Sequence, residues 1–267
     1  MLFSWSFSSK FFQYHTAKDI SQNPNTISMV SYNVRLFNLY GWKNNDKTDL
    51  LMYDFLQQSS PDILVLQEFY DDPDIVISYP YHYKKLKGKN YKIGQIIYSK
   101  FPILNAGSLD FPNSNNNAIF ADLKIDKDTI RVYNLHLESL RIKVEKEYLE
   151  SQGKDKLIRR LKNGFSKQEE QAELVLNHAK KGPKKHLFTG DFNNTAYSHT
   201  YQILTKNKID AFVETGSGFG KSFDFPFPVR IDFSLFDESS FKIEKYEQLE
   251  ALKYSDHYPI QTWFTIP

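Results

Sequence analysis

The sequence predicts an α/β fold in which two packed sheets carry helices on their outer sides. Three observations support this. Strand-like runs cluster towards both ends of the 267-residue chain, around a few helical stretches. One run, Asp62-Ile-Leu-Val-Leu-Gln-Glu68, is apolar until its last residues, as expected of a strand covered on both faces. The composition, 40% hydrophobic and 25% charged, is that of a globular chain able to bury a large core. Layered packing of sheets and helices is how such strands are hidden from water.

Residues 1–26 precede the fold. Met1 to Tyr14 crowds aromatics among serines, and residues 19–26 read as a polar linker. Aromatic rings favour membrane–water interfaces, so two readings stand for this stretch. It is either a segment packed on the domain surface or a membrane-proximal segment of a longer protein. The domain spans 27–267. Ile27–Asn33 alternates as a first strand. Asp46–Gln58 has helical spacing (Leu50, Leu51, Tyr53, Phe55, Leu56) and stops before Pro61. Asp62–Glu68 and Ile93–Ser99 are strands, and Asn105–Asn117 is a polar loop. Ala118–Ile125 and Thr129–Leu137 pair antiparallel around Asp126-Lys-Asp128. Residues 140–181 are helical, with Gly153 and Asn163-Gly164 as breaks. Lys185–Phe192 is a strand, Tyr197–Asn207 a helix and Gly216–Pro228 a loop. Arg230–Phe236, Phe241–Glu247 and Ile260–Phe264 close the chain as strands.

Composition narrows the chemistry. Cysteine is absent, which excludes disulfides, thiolate metal sites and a Cys nucleophile. The net charge is only +2, so no global field demands nucleic acid. No run approaches the roughly 18 apolar residues of a membrane span, and no signal peptide is seen. The expected location is cytoplasmic, or membrane-associated if the aromatic N-terminus is a remnant of a longer protein.

Polar residues recur where apolar strands end. In His186-Leu-Phe-Thr-Gly-Asp-Phe-Asn193, Gly190 turns the backbone and delivers Asp191 and Asn193 at the strand tip. Two apart on an extended backbone, they face one way, with Phe192 anchored on the other side. The stretch is also simply a good turn. Asn33 ends the first strand, and Gln67 and Glu68 the second. His136 lies late in its strand, either as a core histidine or as a ligand for substrate. Asp232 sits inside an apolar strand, where it could pair with Arg230. Asp256-His257 precede the last strand and could be a surface turn. Their shared position at strand ends, which converge along one edge of a sheet, favours a site.

The runs Ser31-Tyr-Asn-Val34, Leu66-Gln-Glu68, Asn134-Leu-His-Leu137, Gly190-Asp-Phe-Asn193, Arg230-Ile-Asp-Phe233 and Ser255-Asp-His257-Tyr-Pro259 together resemble the endonuclease/exonuclease/phosphatase superfamily. The resemblance covers residues 27–267 in the family's order. It implies a four-layer α/β/β/α sandwich of two mostly antiparallel sheets, and divalent-metal-dependent hydrolysis of phosphoesters. Glu68 would be the principal ligand of Mg²⁺ (Mn²⁺ or another divalent cation could serve), with Asn33 and Asp256 near the ion. Mg²⁺ is commonly held by one or two carboxylates plus water and phosphate, so one Glu suffices. Asp191 would orient or deprotonate the attacking water, while Asn193 and His136 bind phosphoryl oxygens. His257, held by Asp232, is the other candidate base. Arg35 stands where exonuclease III-type enzymes have Asn-x-Asp, which argues against abasic-site repair.

Two loops are candidates for the rest of the substrate. Tyr79–Lys92 interleaves Tyr79, Tyr81, Tyr83 and Tyr91 with Lys84, Lys85, Lys87, Lys89 and Lys92, which suits nucleic acid or a solvated hairpin tip. In Gly216–Pro228, Lys221, Ser222 and Phe223 could hold a phosphate and a ring, with Phe225 and Phe227 beside them. The mixed charges Lys143, Glu145, Lys146 and Glu147 read as a solvated helix face. The expected substrate is a nucleic acid or, second, a phospholipid or small phosphoester. A non-catalytic binding module is the reading from another class. No protein partner is implied.

Overall fold

The computed structural model describes residues 8–16, 23–44, 47–73, 75–89, 92–140 and 153–267. In chain order the elements begin with β1 (Gln13–Tyr14), β2 (Ile27–Asn33), α1 (Thr48–Ser59), β3 (Ile63–Tyr70), β4 (Tyr81–Lys87) and β5 (Ile93–Ser99). There follow β6 (Ile103–Ser108), β7 (Asn117–Ile125), β8 (Asp128–His136), α2 (Lys154–Ala179), β9 (His186–Asp191), α3 (His199–Leu204) and β10 (Lys208–Asp210). The chain closes with α4 (Ala211–Thr215), β11 (Ser217–Gly218), β12 (Asp232–Asp237), β13 (Lys242–Gln248) and β14 (Ile260–Thr265).

Two six-stranded sheets, β10-β12-β9-β8-β7-β6 and β13-β14-β2-β3-β5-β4, pack face to face. Side chains alternate between their faces. Ile63 and Val65 of β3 join Met29, Ile119, Val132 and Leu187 between the sheets. Leu64 and Leu66 turn outward onto Met52 and Leu56 of α1. Tyr133, Leu135 and Phe188 turn to the opposite outside, under Ala172 and Val175 of α2. This is the expected four-layer sandwich. Among the described residues only β2–β3 and β8–β9 pair in parallel; the other strand pairings are antiparallel.

Several expectations need correction. The Tyr/Lys run is not a loop, because Tyr81–Lys87 is an edge strand paired with β5. Tyr91 lies outside the described residues. The polar stretch from Asn105 begins inside β6, an edge strand on β7. Both strands expose one backbone edge, so polar and charged side chains fit them. Gly164 does not break α2. It lies inside the helix at a close approach to Leu140, where a Cβ would crowd that side chain. Gly153 does precede the helix, and 141–152, with Lys143, Glu145, Lys146 and Glu147, lie outside the described residues. Gly190 is not a turn but a strand residue at φ +131°, where a Cβ would collide with the Leu135 carbonyl of the neighbouring strand. Asp232 is the first residue of β12 rather than an interior one. Of the opening aromatics, Phe11 and Phe12 pack edge-on against Phe219, while residues 1–7 lie outside the described residues.

His178 of α2 stands against Tyr133 Oη (2.8 Å), packed on Phe120. Burial, then the nearby Arg131 charge, lowers its pKa. A histidine held neutral by the fold stabilises above its unfolded pKa, near 6.5, and loses that contribution as pH falls towards its folded pKa. The stability difference between wild type and His178→Gln should therefore be largest above about pH 6.5 and shrink on acidification. Urea titrations at pH 7.5 and 5.5 measure it; a pH-independent difference would contradict this account.

Candidate active site

Strand register brings the polar tips together. Asn33 lies opposite Gln67 across β2–β3. His136, Asp191 and Asp232 lie side by side across β8, β9 and β12. A register shift between Leu66 and Phe69 marks a bulge, and Glu68 within it sits at φ +47°. Bulges re-aim side chains, and this one carries Glu68 into the space between the sheets' ends. Behind the site, the Gln67 amide donates to Asn134 Oδ1 (2.9 Å), and the Asn134 amide donates to the Leu66 and Ile96 carbonyls (2.8 and 3.1 Å). This buried polar network ties one sheet to the other where the tips must align.

Asp191 is the meeting point, 1% exposed. Its carboxylate accepts hydrogen bonds from the Asn33 amide (3.1 Å), the Asn193 amide (3.2 Å) and the Asn193 backbone N–H (2.7 Å). His136 Nε2 and His257 Nε2 stand 3.6 and 3.7 Å from Asp191 Oδ2. The Asn33 amide also donates to Glu68 Oε1 (3.3 Å), and His136 Nε2 lies 3.7 Å from the same oxygen. His257 Nδ1 hydrogen-bonds Asp232 Oδ2 at 2.9 Å, as expected of a ring held by that carboxylate. Arg230 does not pair with Asp232; it pairs with Asp210 at 2.8 Å.

The charges shift accordingly. Burial pushes Asp191 up to about 6, against the pull of the nearby histidines. Burial also raises Glu68, partly offset by His257 and the Asn33 amide. It lowers His136. For His257 burial acts downward, but Asp232 and Asp191 override it and lift the ring to about 10. Both its nitrogens face carboxylates, so the ring keeps its protons near neutrality.

Other residues at the site have partners that the sequence alone does not name. Asp256 forms an ion pair with Arg35 at 3.0 Å, and the Arg35 guanidinium covers the Trp42 ring at 4.4 Å. Asp256 also stands close enough to Glu68 for its charge to help raise the Glu68 carboxyl. Arg35 is presented by an unusual turn in which Arg35, Leu36, Phe37 and Asn38 all have positive φ. Each such non-glycine residue costs roughly 1–2 kcal/mol. The turn is held by Phe37 stacking on Tyr53 at 4.2 Å and by Asn38 bonding Lys43 at both backbone groups. Asn193 uses its amide hydrogens on Leu137 O (2.9 Å) and Asp191, so it buttresses the carboxylate. Ser222 is fully buried and its hydroxyl accepts from the Ile231 and Asp232 N–H groups (3.0 Å each), so it builds the wall beside Asp232 rather than facing substrate. Phe223 stands edge-on to His257 at 4.9 Å. Lys221 lies 3.8 Å from Asp224.

The sequence reading missed Gln168. From inside α2, its buried amide donates to the carbonyls of Glu138 (2.7 Å), Asn193 (3.3 Å) and Phe192 (3.4 Å). It clamps the ends of β8 and β9, and Gln171 accepts the Glu138 N–H at 2.8 Å. No local pattern marks such residues, since their partners lie about a helix's length away in sequence.

The donor set fits a divalent cation. Among the described residues Glu68 accepts one hydrogen bond, and its side chain is about a third exposed, 35%, where it lines the cleft. A hard oxygen ligand raised by burial, beside a second buried carboxylate, is what a small hard cation would relieve. Asp191, Asp232 and His257 also bring ligand atoms within 4.8 Å of one another. Asp232 and His257 already satisfy each other, which leaves Glu68 the better ligand.

The model of the endonuclease/exonuclease/phosphatase family matches residues 30–257, a span that includes every residue of this cluster. The chain belongs to that family. Among solved structures, the endonuclease/exonuclease/phosphatase from Bacteroides vulgatus is similar at 18% identity and TM-score 0.66, over 91% of this chain and 99% of that one. Humanized D. rerio TDP2 is similar at 17% and 0.66, over 90% and 99%. The human Nocturnin catalytic domain with bound sulfate is similar at 15% and 0.65, over 92% and 95%. At these identities the likeness is one of fold. No curated protein matches the sequence.

Proposed function

We propose that the chain is a divalent-metal-dependent phosphodiesterase that cleaves nucleic-acid strands by in-line attack of water on phosphorus. The observation that carries this reading is the buried Asp191 carboxylate at the convergence of strand tips bearing Asn33, Glu68, His136, Asp232 and His257. A carboxylate raised towards neutrality is suited to accept a proton from water. His257, protonated and steered by Asp232, is suited to donate to a phosphoryl oxygen, so Asp191 is the base of the two candidates. His136 adds a second donor, and Asn193 holds Asp191 in place. A Mg²⁺ or Mn²⁺ ion held by Glu68, with Asn33 beside it, would stabilise charge on the phosphoryl and leaving oxygens.

A nucleic-acid strand is favoured by a cleft of about 300 Å³ that opens onto Glu68 and His136. Lys85, Lys87 and Asn117 line it, so a phosphate beside the scissile one would meet positive charge there. D. rerio TDP2, of the same fold, has been solved with a single-stranded DNA product. A phospholipid or small phosphoester is the second reading, favoured by the aromatic series Phe223, Phe225 and Phe227 leading away from His257. In that reading the aromatic N-terminus would touch a membrane.

The test is hydrolysis of bis(p-nitrophenyl) phosphate with Mg²⁺ or Mn²⁺, followed by DNA, RNA and sphingomyelin panels. EDTA should abolish turnover, and Glu68→Gln should weaken the apparent metal affinity at least about tenfold. Turnover indifferent to EDTA would end the metal-dependent reading. Cleavage of sphingomyelin but not of oligonucleotides would select the second.

A further inference from the structure

The family match begins at residue 30, yet residues 8–16 are docked on the domain. They form a short arm. The N–H groups of Phe11 and Phe12 turn back onto Ser8 O (3.0 and 2.9 Å), and β1 then pairs antiparallel with β11. The partners are Gln13 with Gly218 and Tyr14 with Ser217. The Phe219 ring meets Phe11 at 5.3 Å and Phe12 at 5.0 Å, edge-on to both. Further along, Arg230 Nη2 donates to the Lys10 carbonyl at 3.1 Å. The arm therefore holds both ends of the loop 217–230.

That loop carries alignment to the site. Ser222 N donates to Val229 O (3.0 Å), closing the loop on itself, and the Ser222 hydroxyl receives the N–H groups of Ile231 and Asp232. The Ser222 carbonyl accepts from Tyr258 N (2.8 Å), and Phe223 bridges to both Val229 and His257. One hairpin thus touches the backbone at Asp232 and at His257, the two residues whose mutual hydrogen bond must be kept. Gly218 and Gly220 sit at φ +75° and +62° at the start of the loop. Glycines there leave it conformationally free unless something outside restrains it.

The arm contributes little core. Phe11, Phe12 and Phe219 stay 39%, 44% and 47% exposed, while its directed contacts fall on the loop. We infer that residues 8–16 are a positioning element of the active site, fixing loop 217–230 through Phe219 and Arg230 so that Asp232 and His257 stay aligned. This rests on the hydrolase reading for its catalytic consequence. A tenfold loss is a modest demand, since misplacing a catalytic group by about an ångström can cost on the order of a hundredfold.

The experiment uses the full chain with Phe219→Ser, Phe219→Tyr as conservative rescue, and Phe165→Ser on α2 as an exposed-aromatic control. With bis(p-nitrophenyl) phosphate, Phe219→Ser should lower kcat about tenfold with KM within about twofold, while Tyr restores kcat and the control changes nothing. Melting curves establish that each variant is folded at the assay temperature. Proton NMR follows the downfield Nδ1 proton of His257 bonded to Asp232, a signal independent of turnover. It should broaden or move in Phe219→Ser and return in Phe219→Tyr. An unchanged resonance in the folded Ser variant overturns the inference, as does an unchanged kcat. If wild type hydrolyses no phosphoester with any divalent cation, the hydrolase reading fails, and the resonance alone still decides whether the arm positions the pair.

Discussion

Asp191→Asn should lower kcat/KM for a phosphodiester by about a thousandfold while leaving the protein folded, general-base contributions being on the order of 10²–10⁴. The substitution is nearly isosteric. Its carbonyl oxygen can still accept the Asn193 N–H, which now bonds Oδ1 at 2.7 Å. What changes is the other position. Oδ2 receives the Asn33 and Asn193 amides and faces Nε2 of both histidines. An NH₂ group there cannot accept any of these hydrogen bonds, nor a proton from water. It also removes one of the two carboxylates that hold the His257 proton, although Asp232 remains. His257→Gln tests the companion role: it keeps a donor but no charge, so its loss should be smaller than that of Asp191→Asn. Steady-state kinetics beside urea unfolding separate the effects. Retention of Asp191→Asn activity within threefold would falsify the central role given to this carboxylate, and a larger loss in His257→Gln would move the base to the histidine.

The site was largely legible in the sequence because it is built from strand ends. An apolar run that stops at a polar residue reports both the strand and its tip, as at Asn33, Glu68, His136 and Asp191, while Asp232 and His257 stand at or just before the start of one. Parallel and antiparallel register then makes them neighbours. What escaped was whatever depends on a partner distant in sequence. Nothing local gave Asp256 its partner, because it is the left-handed turn after Val34 that brings Arg35 to it. Gly190 was read as a bend, although its glycine is required by the Leu135 backbone across the sheet. Gln168 looks like any polar residue on a helix until its three carbonyl partners are seen. Edge strands such as Tyr81–Lys87 lack the apolar alternation that marks covered ones, so propensity and pattern both pointed to a loop.

Arg230→Met should cost about 3–5 kcal/mol of stability, the range for removing one partner of a buried ion pair. Arg230 and Asp210 are 6% and 7% exposed, and the guanidinium donates to both Asp210 oxygens at 3.1 and 2.8 Å. It also packs over the Phe212 and Phe233 rings at 4.5 Å each. Methionine fills much of that volume but leaves the Asp210 charge with only the Tyr201 hydroxyl (2.6 Å) and the Phe212 N–H (3.0 Å) to satisfy it. The penalty is mostly that stranded charge, so Arg230→Met combined with Asp210→Asn should recover part of it. Urea titration of the two singles and the double measures the coupling. Strict additivity would mean that Arg230 stabilises through the rings and the Lys10 carbonyl rather than through Asp210. The coupling also matters for the site, because Arg230 stands two residues before Asp232 and reaches the Lys10 carbonyl. The double variant keeps the buried charge balanced but cannot hold the arm. Its kcat should therefore stay low even where its stability returns, so that stability and activity part company at this residue.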